Sequence, residues 1–387
     1  MTVVIKNAKI ILEDDILDRG SLLIDNGKIE KIYYNNVDNY YNIDEVYDAG
    51  NNYLMAGMID IHSDAIEQAI EPRPNSQFPY ELAISQLERM LVSQGISSIF
   101  HSLSFANAEG VRKDRNVKRI VEEIKNRNNS VIRNLVHMRY EITNFENRDM
   151  LKEILCSDII DLFSLMDHSP GQGQYKTLES YSSYVQKTYN LSEDKAESVA
   201  KLKIERREKV DRKDLEELLE EALKRNIAVA THDDDDINNI KWAREKGVNI
   251  MEFPMDKKAA EFGSQQHMYI AVGAPNIVRG GSHNGNLSAM DLIEDGYANI
   301  ICSDYYSACM LNSVFMVAER INSLVEAVKM VTLNPARAVG MDDKLGSIDE
   351  GKNADFIIFN LDTGYPIIER TYINGTNVYQ SNYWKVG

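Results

Sequence analysis

Eight short apolar runs alternate with amphipathic stretches through the central part of the chain, and this alternation predicts most of the fold. The runs lie at residues 58–62, 96–101, 131–141, 159–167, 227–231, 248–253, 268–274 and 299–303. Strands that alternate with helices favour a parallel sheet, and eight repeats within about 280 residues fit a (β/α)8 barrel. We therefore predict an α/β fold with such a barrel over residues 56–340. A doubly wound open sheet is the alternative, although no Gly-x-Gly-x-x-Gly follows the first run.

Two of the intervening stretches have a helical period. The i, i+3, i+4 stripe consists of Leu215, Leu218, Leu219, Ala222 and Leu223. A second helix is predicted from about Asp235 to Lys246, because Gly247 is a usual C-terminal breaker. Residues 172–212 form a long charged connection after the fourth run. They are interpreted as solvated helices or, functionally, as a lid over a site.

Both ends of the chain have the alternating pattern of strands. Residues 1–55 turn at Asn26-Gly27, and the last forty or so residues turn at Asn374-Gly375. Asn-Gly is the preferred two-residue hairpin turn, because both positions tolerate positive φ. The pattern predicts one small β domain built from residues 1–55 and 341–387.

Composition and charge limit the classes of molecule that the protein is expected to bind. The 387 residues are 43% hydrophobic and 27% charged, and the net charge is −17. Nucleic acid and anionic membranes are disfavoured, because a footprint for them is basic. A small polyanionic substrate is compatible if metal and arginine are concentrated locally. The start of the chain has no signal-peptide pattern, and three cysteines without Cys-x-x-Cys spacing suggest reduced thiols, so a cytoplasmic location is expected.

Metal-ligating residue types recur where the apolar runs end. In a barrel the C-terminal ends of all strands meet at one mouth, where active sites of this fold lie. The residues are His62, Asp64, His101, Glu141, His168, His232 and Asp304. Histidines and carboxylates without cysteine suit Zn²⁺, Mn²⁺ or Fe²⁺ with an open position for water. The pattern predicts a catalytic metal site.

Each of these residues also has a purely structural interpretation. His168 precedes Pro170-Gly171 and suits a turn, and His101 suits a buried barrel position as well as a ligand. Residues 233–236 suit helix capping. Glu141 shares a strand face with Arg139, so the two can form a salt bridge. The joint pattern favours the metal site over these separate explanations.

The closing segment carries a family resemblance. Residues 334–340, Asn-Pro-Ala-Arg-Ala-Val-Gly, and 346–355, Gly-Ser-Ile-Asp-Glu-Gly-Lys-Asn-Ala-Asp, are similar to the C-terminal signature of the amidohydrolase superfamily. The resemblance runs from about residue 2 to 375. It implies a metal-binding (β/α)8 barrel with a small β-sandwich made from both chain ends.

Several stretches resemble one group within that superfamily, the diphosphatases of the carbon–phosphorus lyase pathway. The stretches are 71–74, 137–141, 166–174, 232–234, 273–276, 279–286 and 303–305. This group hydrolyses α-D-ribose 1-methylphosphonate 5-triphosphate to the 5-phosphate and pyrophosphate. The resemblance implies one or two divalent ions, with zinc expected and manganese or iron as alternatives. The implied ligands are His62, Asp64, Glu141, His168, His232 and Asp304.

Two departures from the wider superfamily pattern leave part of this ligand set open. The first motif is His62-x-Asp64 where many members have His-x-His, and the sixth run contains Glu252 where a histidine is frequent. His168 on the fourth run takes that role if the strand count is right. Catalysis is assigned to Asp304 as proton acceptor and to His283 as acid or phosphate contact.

Phosphate binding is assigned to cations and to the glycine-rich run 279–286. The substrate-binding residues expected are Arg73, Arg139, Gln172, Gln174, Arg279, Ser282 and Asn286. Guanidinium groups bind phosphate in bidentate fashion, and successive backbone N–H groups form an anion nest. A flexible loop and surface salt bridges are the structural alternatives. A homo-oligomer is also expected.

Two rival functions predict different site chemistry. Hydrolysis of an amide, lactam ring or amine uses the same metal and aspartate but needs no provision for phosphates. A scaffold kept only for protein interaction predicts lost ligands, whereas nearly all ligand-type strand ends are filled here.

Overall fold

The structure is a computed structural model that describes residues 1–35, 43–73, 76–108, 110–173, 177–189, 192–281 and 287–382. Strands in these ranges are β1 (Thr2–Ile11), β2 (Ile16–Asp25), β3 (Lys28–Tyr33), β4 (Glu45–Asp48), β5 (Tyr53–Ala56), β6 (Met58–Ser63), β7 (Ile96–Phe105), β8 (Arg133–Glu141), β9 (Leu162–Met166), β10 (Ala228–His232), β11 (Ile250–Glu252), β12 (Tyr269–Gly273), β13 (Ile300–Cys302), β14 (Phe356–Asn360), β15 (Ile367–Ile373) and β16 (Thr376–Gln380).

Helices in the same ranges are α1 (Ala65–Ile70), α2 (Tyr80–Ser93), α3 (Asp114–Asn126), α4 (Arg148–Leu155), α5 (Leu178–Tyr189), α6 (Glu193–Arg207), α7 (Arg212–Lys224), α8 (Ile237–Glu245), α9 (Lys257–Gln265), α10 (Ala274–Arg279), α11 (Ala289–Glu294), α12 (Cys309–Ile321), α13 (Leu324–Lys329) and α14 (Leu333–Ala338). A 3₁₀ turn covers Gly110–Arg112. Within the described ranges, none of the helices has the length and apolarity that crossing a bilayer requires.

The strands β6 to β13 form one parallel sheet in chain order. A parallel bridge between Ser63 and Asp304 connects the two edges, so the sheet is a nearly closed barrel. All eight strands coincide with the eight apolar runs, and the predicted barrel is confirmed. The open-sheet alternative is wrong.

Apolar side chains fill the lower part of the barrel. The cluster includes Ile59, Phe100, Leu162 and Ile250 from the strands, together with Ala336 from α14. Because this end is packed, polar side chains can be accommodated only towards the C-terminal ends of the strands. The architecture therefore directs the chemistry to that mouth.

A second sheet combines strands from both ends of the chain. Its order is β16-β15-β14-β5-β1-β2-β3, with β4 paired to β1. Both predicted Asn-Gly turns are present, with φ of 48° and 79° at Asn26 and Gly27 and of 47° and 71° at Asn374 and Gly375. Positive φ at both central positions is what a type I′ hairpin turn requires.

The long connection after β9 contains the helices α5 and α6. They share a small apolar cluster of their own, in which Tyr181, Val185, Ala196 and Ala200 are buried. The expected helices are thus present. Basic side chains of α6 reach the barrel mouth, because Lys203, Arg206 and Arg207 pair with Glu141, Glu146 and Asp167, respectively.

Candidate active site

A cavity of about 190 Å³ lies at the C-terminal mouth of the barrel. Its polar lining includes His62, Asp64, Arg139, His232, Asp233, Asn276, Arg279, Asp304 and Tyr305. Much of the remaining lining is apolar and comes from Phe253, Pro254, Met255, Val272, Leu287 and Leu292. Four of the six predicted metal ligands, His62, Asp64, His232 and Asp304, therefore line one cavity although they come from distant parts of the sequence.

His62 and Asp64 lie at the end of β6. The His62 side chain is 1% exposed, that of Asp64 is 23% exposed, and His62 Nε2 lies 3.9 Å from Asp64 Oδ1. The strand pairing is irregular here, with a register shift between Asp60 and Ser63. Burial and the nearby Arg139 hold the pKa of His62 well below its usual range, so the ring is neutral.

Arg139 joins Asp64 to His232. Its Nη1 donates to Asp64 Oδ1 at 2.8 Å, and its Nη2 lies 3.0 Å from His232 Nε2. A guanidinium only donates, so the contact with His232 requires the lone pair of Nε2. The Nδ1 of His232 faces Asp233 Oδ2 at 3.3 Å.

Glu141, His168 and Lys203 form a second group beside the first. Glu141 is 1% exposed, and its carboxylate lies 3.4 Å from His168 Nδ1 and 3.0 Å from Lys203 Nζ. Burial raises the pKa of Glu141, but the opposing effects of Lys203 and His168 are larger. The pKa is therefore lowered to about 2. His168 continues the contacts towards the cavity, because its Nε2 lies 3.6 Å from Asp233 Oδ2. These residues therefore link helix α6 to the cavity wall.

Asp304 follows β13 and faces the same cavity. Its backbone accepts from Asp64 N–H at 2.8 Å and donates to His62 carbonyl oxygen at 3.0 Å, which fixes it against β6. Burial, together with the negative charge of Asp64, raises the pKa of Asp304 to about 7. A carboxyl group with that pKa suits proton transfer near neutral pH.

Three residues just after barrel strands have positive φ. They are Asp233 at 57°, Phe253 at 53° and Asp304 at 56°. The conformation is unusual for a bulky residue such as phenylalanine, and residues of this kind cluster at functional sites. Phe253 uses it to place its ring against both His62 and His232, with ring centroids 4.8 and 5.3 Å apart.

The structure adds site residues that the sequence analysis did not assign. His137 and Glu252 are buried beside His62, and Asp233 lies beside His168 and His232. The facing atoms fall into two groups, His62–His137–Glu252 and His168–His232–Asp233, each with potential ligand atoms within 4.8 Å of one another. Strand parity places His137 on the same face as Arg139 and Glu141, but parity alone gives no reason to choose it as a site residue.

The remaining predicted residues are scattered. Arg279 is exposed at the cavity rim, 3.4 Å from the Tyr305 hydroxyl. Arg73 is exposed and does not line the cavity. Its backbone forms an isolated antiparallel β-bridge with Ser76. Gln172 is half-buried and donates its N–H to the Ser169 carbonyl, also outside that lining. The predicted residues Gln174, Ser282, His283 and Asn286 lie outside the described residues.

His101 is a buried barrel residue. Its sequence position was compatible with this role and with that of a metal ligand. It is buried on β7, its Nε2 lies 2.8 Å from Asn134 Oδ1, and it is absent from the described groups of potential ligands. Burial lowers its pKa to about 4. At neutral pH it is an uncharged core residue.

The residues present fit a divalent metal. Neutral imidazoles beside carboxylates are the donors that zinc, manganese and iron use. The Oε2 atom of Glu252 is buried, and no hydrogen-bond donor among the described residues reaches it. A metal held by the neighbouring His62 would place positive charge near this buried oxygen. The donor set therefore favours a divalent metal.

Comparisons with known proteins agree with the fold. A model of the Amidohydrolase family matches residues 53–378. The chain is 30% identical over 383 residues to the alpha-D-ribose 1-methylphosphonate 5-triphosphate diphosphatase of Escherichia coli (strain K12), covering 97% of this chain and all of that enzyme.

Solved structures with the same fold have other activities. The N-acetylglucosamine-6-phosphate deacetylase from Pasteurella multocida has a TM-score of 0.64 at 16% identity, over 97% of this chain and 99% of that one. A Xaa-Pro dipeptidase with bound methionine has a TM-score of 0.67 at 13% identity, over 98% and 100%. At these identities the likeness shows the fold alone.

Proposed function

The chain belongs to the amidohydrolase family, and we propose that it hydrolyses α-D-ribose 1-methylphosphonate 5-triphosphate to the 5-phosphate and pyrophosphate. The observation that carries the proposal is the full-length similarity to an enzyme of that activity, 30% identical over 97% of this chain. The similarity extends across both sheets of the fold, so it is not confined to a shared signature at one end.

The proposed metal ligands are His62, Asp64, Glu141, His168, His232 and Asp304. A divalent metal bound there would supply Lewis-acid chemistry, lowering the pKa of a water molecule from ~15.7 towards ~7 and polarising a phosphoryl oxygen. The protein's own part is to position the substrate and to accept a proton. Asp304 suits the second task, because it faces the cavity that His62, Asp64 and His232 also line.

Two arginines support phosphoryl chemistry at the same mouth. Arg139 and Arg279 both line the cavity, and guanidinium groups recognise phosphate oxygens by paired hydrogen bonds. Hydrolysis of an amide would not require them. Amide hydrolysis would use the same metal and the same aspartate, so the test includes that rival chemistry.

The test is phosphorus NMR of the metal-loaded protein with ribose 1-methylphosphonate 5-triphosphate. We expect stoichiometric pyrophosphate and 5-phosphate, and slower or no turnover of ATP. Asp304→Asn serves as the matched control for contaminating phosphatases. Release of orthophosphate alone, or no reaction in a preparation that hydrolyses N-acetylated sugars or dipeptides, would contradict the proposal.

A further inference from the structure

His62 is held by a carboxylate from a different strand. Its Nδ1 lies 2.8 Å from Oε1 of Glu252, the last residue of β11, and the two side chains are 1% and 0% exposed. The other Glu252 oxygen faces His137, 3.7 Å from its Nε2. The Glu252 carboxylate thus lies between two buried imidazoles, away from solvent.

The two nitrogens of His62 face different surroundings. Nδ1 points to Glu252, whereas Nε2 points towards the cavity and lies 3.9 Å from Asp64 Oδ1. An ionised carboxylate only accepts hydrogen bonds, so the proton of a neutral His62 belongs on Nδ1. The lone pair is then on Nε2, beside Asp64.

We propose that Glu252 is a positioning residue that fixes the Nδ1–H tautomer of His62 and so presents Nε2 to the metal. The inference rests on the proposed function only in placing a divalent metal beside His62. A metal-ligating histidine commonly donates its other N–H to a carboxylate, which orients the ring and raises its basicity. The residues here have that arrangement, with Glu252 as the carboxylate.

The alternative is direct ligation by Glu252. The atoms of His62, His137 and Glu252 are close enough to surround an ion. An ion in that position would take Nδ1 of His62 and displace its proton. The two arrangements therefore predict opposite outcomes at one atom, which makes them distinguishable.

The first experiment uses the wild-type protein with ¹⁵N-labelled histidine. The His62 resonances are assigned by their loss in His62→Gln. We expect the Nδ1–H tautomer in the chelated protein, and on addition of Zn²⁺ we expect the Nε2 resonance to shift while the proton stays on Nδ1. An Nε2–H tautomer, or loss of the Nδ1 proton with Zn²⁺, would overturn the inference.

The second experiment measures Zn²⁺ affinity by competition with a chelator. Glu252→Met should weaken binding about 10- to 100-fold, the usual effect of removing such a partner. Glu252→Gln should recover part of the loss, because its amide oxygen still accepts from Nδ1–H. Glu88→Met is the matched control, since Glu88 is a buried carboxylate that pairs with Arg127 instead. Wild-type affinity in Glu252→Met would contradict the inference.

Neither experiment involves turnover of a phosphonate. The inference can therefore fail while pyrophosphate release is observed, and it can hold while the proposed substrate is wrong.

Discussion

Lys203→Met tests whether helix α6 is part of the site or merely covers it. Lys203 Nζ lies 3.0 Å from Glu141 Oε1, and the two side chains are 16% and 2% exposed. Thr143 Oγ1 donates to the same oxygen at 3.1 Å, and His168 faces the other at 3.4 Å. Without Lys203, the carboxylate is left buried beside the Thr143 hydroxyl, the His168 imidazole and the His168 backbone N–H, which donates to Oε2 at 3.3 Å.

The expected loss of stability is large for a single contact. Removing one partner of a buried ion pair typically costs about 3–5 kcal/mol, because the remaining charge is uncompensated. Lys203 keeps some access to solvent, so we expect about 3 kcal/mol, near the lower limit. If the free energy of unfolding falls by about 3 kcal/mol per molar urea for a chain of this size, the urea midpoint of unfolding falls by roughly 1 M.

The assay is urea denaturation of the chelated protein, followed by circular dichroism. Lys201→Met is the matched control, because Lys201 lies on the same helix but is 62% exposed and pairs with Glu197 in the i,i+4 position. That pair is worth about 0.3–0.5 kcal/mol. In a Glu141→Gln background, Lys203→Met should cost much less, since the buried charge is gone. Equal midpoints for wild type, Lys201→Met and Lys203→Met would refute the reasoning.

Three further changes test the proton acceptor, the rim cation and the buried histidine. Asp304→Asn should lower turnover by about 10²–10⁴, with bound metal retained by elemental analysis; near-normal turnover would remove Asp304 as the base. Arg279→Ala should raise KM for the triphosphate about tenfold with little change in kcat, and an unchanged KM would exclude Arg279 from the site. Burial lowers the pKa of His101 to about 4 in the folded protein, against its ordinary value of 6.5, so between these pH values the unfolded chain takes up a proton that the folded one does not. Stability therefore falls as the pH drops from 6.5 to 4, by up to about 3 kcal/mol. In His101→Gln this contribution is absent, so the stability should depend less on pH between 4 and 6.5. Denaturation profiles with the same pH dependence as wild type would contradict the prediction.

The barrel could be predicted from sequence because its strands are buried on both faces. Such strands appear as continuous apolar runs, and each run became a strand. Their ends were predicted less well. The run 248–253 yields the three-residue strand β11, because Phe253 adopts positive φ and turns the chain into the mouth. Nothing in the composition of that run marks where it leaves the sheet.

The site was predictable only as far as strand ends and parity allow. Those rules correctly predicted that His62, Asp64, His232 and Asp304 lie together, and all four line one cavity. They did not single out Glu252, whose role depends on the approach of β11 to the His62 ring. They also missed Lys203, because a lysine on a charged helix resembles any solvated residue until tertiary packing places it at Glu141.

The charge arrangement of the mouth favours an order of binding. Near the cavity, Arg139 pairs with Asp64, Lys203 with Glu141 and Arg112 with Glu67. Of the two arginines that line the cavity, only Arg279 lacks a carboxylate partner among the described residues. A triphosphate that enters a protein of net charge −17 therefore meets little free positive charge. A divalent metal that takes Asp64 and Glu141 as ligands would free Arg139 and Lys203 from their anions, so polyphosphate should bind tightly only after the metal.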